Sequence, residues 1–268
     1  MTSREEPQLF SIADLASELV DQPPLLRDTD VRVVSRAPGG ALTALASLED
    51  GWTATAFVPS GCLDLLVLAG QLDLEGRHLA SGSFATVPIG GIETHCRAVT
   101  ASHVLFFWDP ADPIASTSLY VASSWERPWE TNTLPGVPTG LMRKRLREDD
   151  IGAPEGPERG WVRLIHVVPG WHSTDEERHV GCWEENILLD GDMHMTDRGE
   201  MRAGDCLANP PGLWHGPMAS RGGALFVVHC DRPMNVEWRS RESPPDDIAR
   251  YLRTEVWPWV DVMQVQPA

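Results

Sequence analysis

An all-β fold built as two tandem barrels is what this sequence predicts, and three observations predict it. The chain repeats itself at one fixed offset, its apolar runs are short and broken by turn residues, and helical signals are few. The repeat comes first. Leu65-Leu66-Val67-Leu68-Ala69-Gly70 has a counterpart in Asn186-Ile187-Leu188-Leu189-Asp190-Gly191, and the stretch 82–88 has one in 204–210. Gly70 precedes Gly191 by 121 positions; Gly82 and Pro88 precede Gly204 and Pro210 by 122. Each copy then carries a His (His95 or His215) and enters an apolar strand that ends near Asp109-Pro110 or Asp231-Arg232-Pro233. One offset running through several motifs marks a tandem duplication.

The elements follow in order. Ser11 with Asp14 three positions on reads as a helix N-cap. Phe10 and Leu15 form its staple, and Ile12, Leu15 and Leu19 supply an apolar stripe, so residues 1–24 are expected to be an N-terminal helical arm lying on the first barrel. Residues 25–122 form the first barrel, with apolar or alternating runs at 31–34, 54–58, 63–68 and 104–108. Residues 123–159 are rich in Pro, Gly and charge and read as the connection, with a strand at 141–146 inside it. Residues 160–268 form the second barrel, with runs at 162–168, 187–189 and 225–228. Turn signals about every ten residues are the rhythm of a sandwich or barrel. Pro244-Pro245 ahead of Ile248, Tyr251 and Leu252 predicts a short helix near the end.

Bulk properties bound the function. The 268 residues suit two domains, and the formal net charge is −17. An acidic surface repels phosphate backbones and anionic lipid, so nucleic acid and membrane are not expected as partners. The 5 Cys are odd in number and none is paired at CxxC spacing, which argues for a reducing compartment and against a disulfide framework or a structural zinc site. The segment 1–7 is polar, and no apolar run approaches the ~20 residues of a bilayer span. A cytoplasmic location is the expectation. The 11 Trp against 2 Tyr are expected mainly in the core, with a pocket wall as the alternative.

The chemistry concentrates in the second copy. Gly204-x5-Pro210-x-Gly212-x2-His215 is a strand, a Pro/Gly turn and a strand start. Upstream, six residues separate Glu184 from Gly191, four separate His179 from Glu184, and Glu177 stands two before His179. Alternate residues on a strand share a face, so 177 and 179 can point the same way. Glu177 also belongs to the acidic stretch 175–178, which reads equally as an exposed loop. Glu184 is followed by Glu185, and one of the two reads as a solvated charge.

These motifs resemble those of the cupin superfamily, the second motif residue for residue. The first motif departs from the pattern: Glu177 stands where a His is usual, and Gly170 sits one residue further away. The whole is similar to a bicupin with a degenerate first barrel, its finer texture to the ChrR-like cupins. The resemblance implies two double-stranded β-helix (jelly-roll) barrels with a few short helices. It also implies one divalent metal held by Glu177, His179, Glu184 and His215. Two imidazoles with carboxylate suit Fe(II) first, with Mn, Ni or Zn as alternatives. Trp183, His194, Trp214 and His229 are the candidates for the pocket lining, with Trp171 a further apolar wall and His172 a spare ligand. In the first copy the positions matching His179 and Glu184 fall near Val58 and Leu63, and its interior is expected to be filled. The resemblance further implies a homodimer. The expected function is a metal-dependent oxygenase acting on a small organic molecule. The alternatives are a metal-assisted lyase or isomerase, and a ligand-binding or sensor module without catalysis.

Overall fold

The computed structural model describes residues 7–37, 39–57, 61–87, 93–110, 119–131, 137–147, 160–232, 234–240 and 246–253. Two antiparallel strand paths, each of seven strands, carry it. In the first, hydrogen-bonded neighbours run Tyr120–Ser123, Ser83–Val87, Cys62–Ala69, Ser102–Asp109, Leu42–Leu48, Asp30–Arg36 and Ser17–Leu19. In the second they run Gln8–Ser11, Asp205–Asn209, Glu184–Met195, Ala224–Cys230, Trp161–Val167, Leu141–Arg145 and Glu130–Thr131. The two orders correspond place for place, so the repeat seen in the sequence is also a repeat of topology. Shorter strands close each path into a barrel. In the first barrel these are Thr53–Phe57, Gln71–Leu74, Arg77–Ala80 and Glu93–Ala98. In the second they include Asp175–Val180 paired with Asn235–Ser240.

The N-terminal segment departs from the expected helical arm. Gln8–Ser11 is a strand on Asp205–Asn209 of the second barrel, and only Ile12–Asp14 makes a helical turn, of the 3-10 type. The reason is tertiary. The Ser11 side chain makes no cap hydrogen bond, while the backbone finds a ladder partner, and Ile12 N donates to Gly204 O at 2.9 Å. A long-range ladder outweighs a local helix signal. The counterpart strand, Tyr120–Ser123, covers Ser83–Val87 of the first barrel. Each of these two sheets is therefore extended at its end by the segment that leads into the opposite barrel. The short helix expected near the end is present as Asp246–Arg253.

Strand alternation sorts side chains between the barrel interior and the face between the barrels. On Trp161–Val167, Trp161, Ile165 and Val167 line the interior, whereas Val162 and Leu164 join Val34, Leu66, Phe84, Leu105 and Phe107 in a core shared by both barrels. Each fully buried side chain of this size contributes about 2 kcal/mol, which makes the shared core a strong clamp. The first barrel is filled by its own cluster, including Leu25, Leu42, Leu63, Leu65, Leu72, Phe106 and Trp108. No helix among the described residues is long and apolar enough to cross a membrane.

Candidate metal centre

The strand Asp175–Val180 decides where its acidic residues go. Glu176 and Arg178 point outward, to Arg239 at 2.7 Å and Glu237 at 2.8 Å, while Glu177 and His179 point into the second barrel. The stretch 175–178 is therefore a strand, not an exposed loop. Across from it, His215 exchanges both backbone hydrogen bonds with Glu177, at 3.0 and 2.9 Å. The turn before it needs Gly212, whose φ of +76° lies in the left-handed region, and Gly212 N donates to His179 O at 2.7 Å. The Pro/Gly turn thus ties His215 to the strand that carries the other two groups.

Glu184 and Glu185 part company for the same reason of alternation. Glu184 faces the cavity and accepts a hydrogen bond from Asn209 Nδ2 at 3.0 Å. Glu185 faces the first barrel, where it is fully buried. There Ser35 and Thr43 donate to it, the latter at 2.5 Å, and His229 Nδ1 lies 3.0 Å away. Neither is a solvated charge: one faces the cavity and the other joins the two barrels.

Ligand atoms of Glu177, His179 and His215 lie within 4.8 Å of one another. Glu184 reaches both imidazoles, at 3.4 Å from His179 Nδ1 and 3.7 Å from His215 Nε2. His215 Nε2 is 3.4 Å from Glu177 Oε1, and its other nitrogen, Nδ1, is 3.2 Å from Leu213 O. A backbone carbonyl on one ring nitrogen is how a ligating imidazole is oriented. Burial works against the imidazolium of His215, but the hydrogen bond and charge of Glu177, with the charge of Glu184, outweigh it and lift the pKa to about 8. Burial likewise works against the Glu177 carboxylate, and His215 and His179 hold its pKa below the ordinary value.

These residues fit a divalent cation. His179 Nδ1 is buried and forms no hydrogen bond, although it faces a carboxylate. A buried polar atom left in that state costs free energy unless something binds it. Two carboxylates and two imidazoles converging there supply hard and borderline donors together. The wall around them is apolar: Trp171, Met193, Met195, Met201, Met218 and Phe226 line it. Trp161 and Trp238 also line it, as do Arg143 and Arg163.

Four residues expected on that wall lie elsewhere. His229 packs on Phe107 between the barrels, ring centroids 4.8 Å apart, because its strand position faces outward. His194 stacks on Tyr251 of the terminal helix at 5.0 Å and pairs with Asp247 at 3.0 Å. Trp214 has the guanidinium groups of Arg178 and Arg239 over its ring, at 4.8 and 4.6 Å. Trp183 is buried beside the centre but does not line the cavity. His172, the spare ligand, is exposed, with Nδ1 3.4 Å from Gly170 O. Sequence reasoning missed Asn209 and the methionines. Met193 and Met195 alternate along a strand, and that period was the available signal.

No family model matches the sequence, and no curated protein matches it. Solved structures do match the fold. A proposed dioxygenase from Nostoc punctiforme PCC 73102 superposes with a TM-score of 0.70 at 17% identity, covering 88% of this chain and 88% of that one. A proposed glyoxylate-induced protein from Pseudomonas aeruginosa gives a TM-score of 0.65 at 18% identity, covering 88% and 92%. The oxalate decarboxylase of Lactobacillus farciminis, in its formate complex, gives 0.57 at 11% identity, covering 97% and 94%. At these identities the likeness shows the fold, which is that of the cupin proteins.

Proposed function

We propose that this chain is a metal-dependent bicupin enzyme acting on a small organic molecule, with non-haem Fe(II) oxygenase chemistry as the leading reading. The observation that carries it is the convergence of Glu177, His179, Glu184 and His215 at one apolar cavity, with a buried imidazole nitrogen that no hydrogen bond satisfies. These four residues would hold the metal. When bound, Fe(II) supplies one-electron chemistry toward dioxygen, which no side chain here can supply.

The chain's own residues do the rest. Leu213 O and Asn209 Nδ2 fix the orientation of His215 and Glu184. Met193, Met195, Trp171 and Phe226 exclude water and offer an apolar wall to the carbon skeleton. Arg143, which pairs with Glu130 at 3.4 Å, and Arg163, which lies over the Trp161 ring at 3.9 Å, add a polar part to that wall. The first barrel, where apolar residues stand near the positions matching His179 and Glu184, serves as a packed support. A second reading, a metal-assisted lyase, draws on the second carboxylate in the set, because oxygen donors also suit Mn(II) acting as a Lewis acid.

Protein purified without chelators, and analysed for metals by mass spectrometry, is expected to carry about one Fe or Mn per chain in this reading. Oxygen uptake with a panel of keto acids and phenols separates the two chemistries. No metal in the wild type after anaerobic reconstitution with Fe(II) and with Mn(II) would sink both.

A further inference from the structure

Cys182 and Cys230 are fully buried free thiols that the centre described above does not use. Cys182 follows His179 closely in sequence, the fold brings the distant Cys230 to both, and one ligand atom from each of the three residues lies within 4.8 Å of the others. Cys182 lies in the turn between Asp175–Val180 and Glu184–Met195, and the placement of Cys230 follows from its strand. Phe226 and Val228 line the cavity, and Cys230 continues the same inward phase. Its neighbours across the ladder are Glu184 and Trp161. The first barrel shows what a purely structural solution looks like at this position. Trp108 takes the place of Cys230, and its indole reaches within 3.1 Å of where a Cβ on Gly61 would stand. One large ring fills the site there. The second barrel instead has two thiols beside an imidazole.

We propose that His179, Cys182 and Cys230 form a second metal site, for a soft or borderline cation of the Cd2+, Zn2+ or Cu+ class. This site shares His179 with the carboxylate–imidazole centre, and Cys230 neighbours Glu184 across the ladder. Thiolate sulfur prefers such cations, while Glu177 and Glu184 prefer harder ones, so the two donor sets sort metals by softness. On binding, each thiol gives its proton to the buffer and its sulfur bonds the metal, while His179 donates a ring-nitrogen lone pair. A soft cation held there takes His179 away from the harder set and so acts as a poison of the enzyme.

The test uses the full chain, stripped of metal, kept reduced and titrated with Cd2+. The readout is the sulfur-to-cadmium charge-transfer absorption in the ultraviolet. The expected result is a band saturating at one equivalent in the wild type and in His215→Ala, and lost in both Cys182→Ser and Cys230→Ser. Near-ultraviolet circular dichroism verifies the folding of the serine variants, and Mn2+ binding followed by electron paramagnetic resonance shows that they keep the other centre. No band in the wild type overturns the proposal, whatever the variants do. A band that persists in both folded serine variants overturns it too. A cadmium band in a wild type that binds neither Fe(II) nor Mn(II) would keep this site and remove the other.

Discussion

The two barrels share one topology and differ in what their matched positions hold. Ladder register makes the comparison exact to the residue. Leu63 faces Val87 and Trp108 in the first barrel, and Glu184 faces Asn209 and Cys230 in the second. An apolar trio has been exchanged for a carboxylate, an amide and a thiol at the same place. One residue further along, Asp64 and Glu185 are both fully buried carboxylates that look toward the partner barrel. Asp64 accepts from Thr86 at 2.6 Å and pairs with Arg147, while Glu185 accepts from Ser35 and Thr43. The facing residues Phe107 and His229 pack against each other with their rings tilted by 45°. The interface between the barrels thus keeps its polar plan in both copies, whereas the interior keeps a polar plan only in the second. A filled interior favours stability through packing; a polar, partly open one gives up some packing for chemistry.

Rewriting the second barrel as the first should have the largest effect. The double variant Glu184→Leu with Asn209→Val is expected to bring bound metal from near stoichiometric to background by elemental mass spectrometry, with far-ultraviolet circular dichroism preserved. Retained metal would break the comparison. Next, Trp108→Ala opens a cavity in the first barrel and is expected to cost about 4 kcal/mol in urea unfolding, with metal content unchanged. Glu185→Ala removes the carboxylate that accepts from the buried hydroxyls of Ser35 and Thr43. It is expected to cost on the order of 3 kcal/mol, again without metal loss, while Glu185→Gln recovers part of the stability. Together these variants separate the adjacent glutamates by readout.

The pH dependence sharpens the same contrast on a smaller scale. With its pKa lifted to about 8, His215 is protonated at neutral pH in the metal-free protein, and a protonated imidazole cannot ligate. Apparent affinity for Mn2+ is therefore expected to climb as pH rises toward that value and to level off above it. The slope is at most about tenfold per unit from this group, and titration calorimetry in several buffers would read it. The smallest effect falls outside both interiors. His194→Ala removes a partly exposed pair with Asp247 and is expected to cost about 1 kcal/mol or less, with metal binding intact.

Much of this was legible in the chain before its fold was known. The offset shared by Gly70, Gly82 and Pro88 with Gly191, Gly204 and Pro210 announced two copies of one all-β unit. The spacing around Glu184, Gly191 and His215 singled out the groups that converge, because turn glycines and strand alternation are local properties that a sequence records directly. Three things it did not determine. The helix signal at Ser11 lost to a ladder with Asp205–Asn209, a partner nearly two hundred residues away. His194 and His229 sit close to the motifs in sequence but face a terminal helix and the neighbouring barrel, since the direction of a side chain depends on which sheet face is buried against what. Cys182 follows His179 across one short turn, but Cys230, distant in sequence, meets the two only because its strand closes against them in the same barrel. Periodicity and turn chemistry belong to neighbouring residues and are written in the sequence. Encounters between distant strands depend on how the sheets close, and only the tertiary structure decides them.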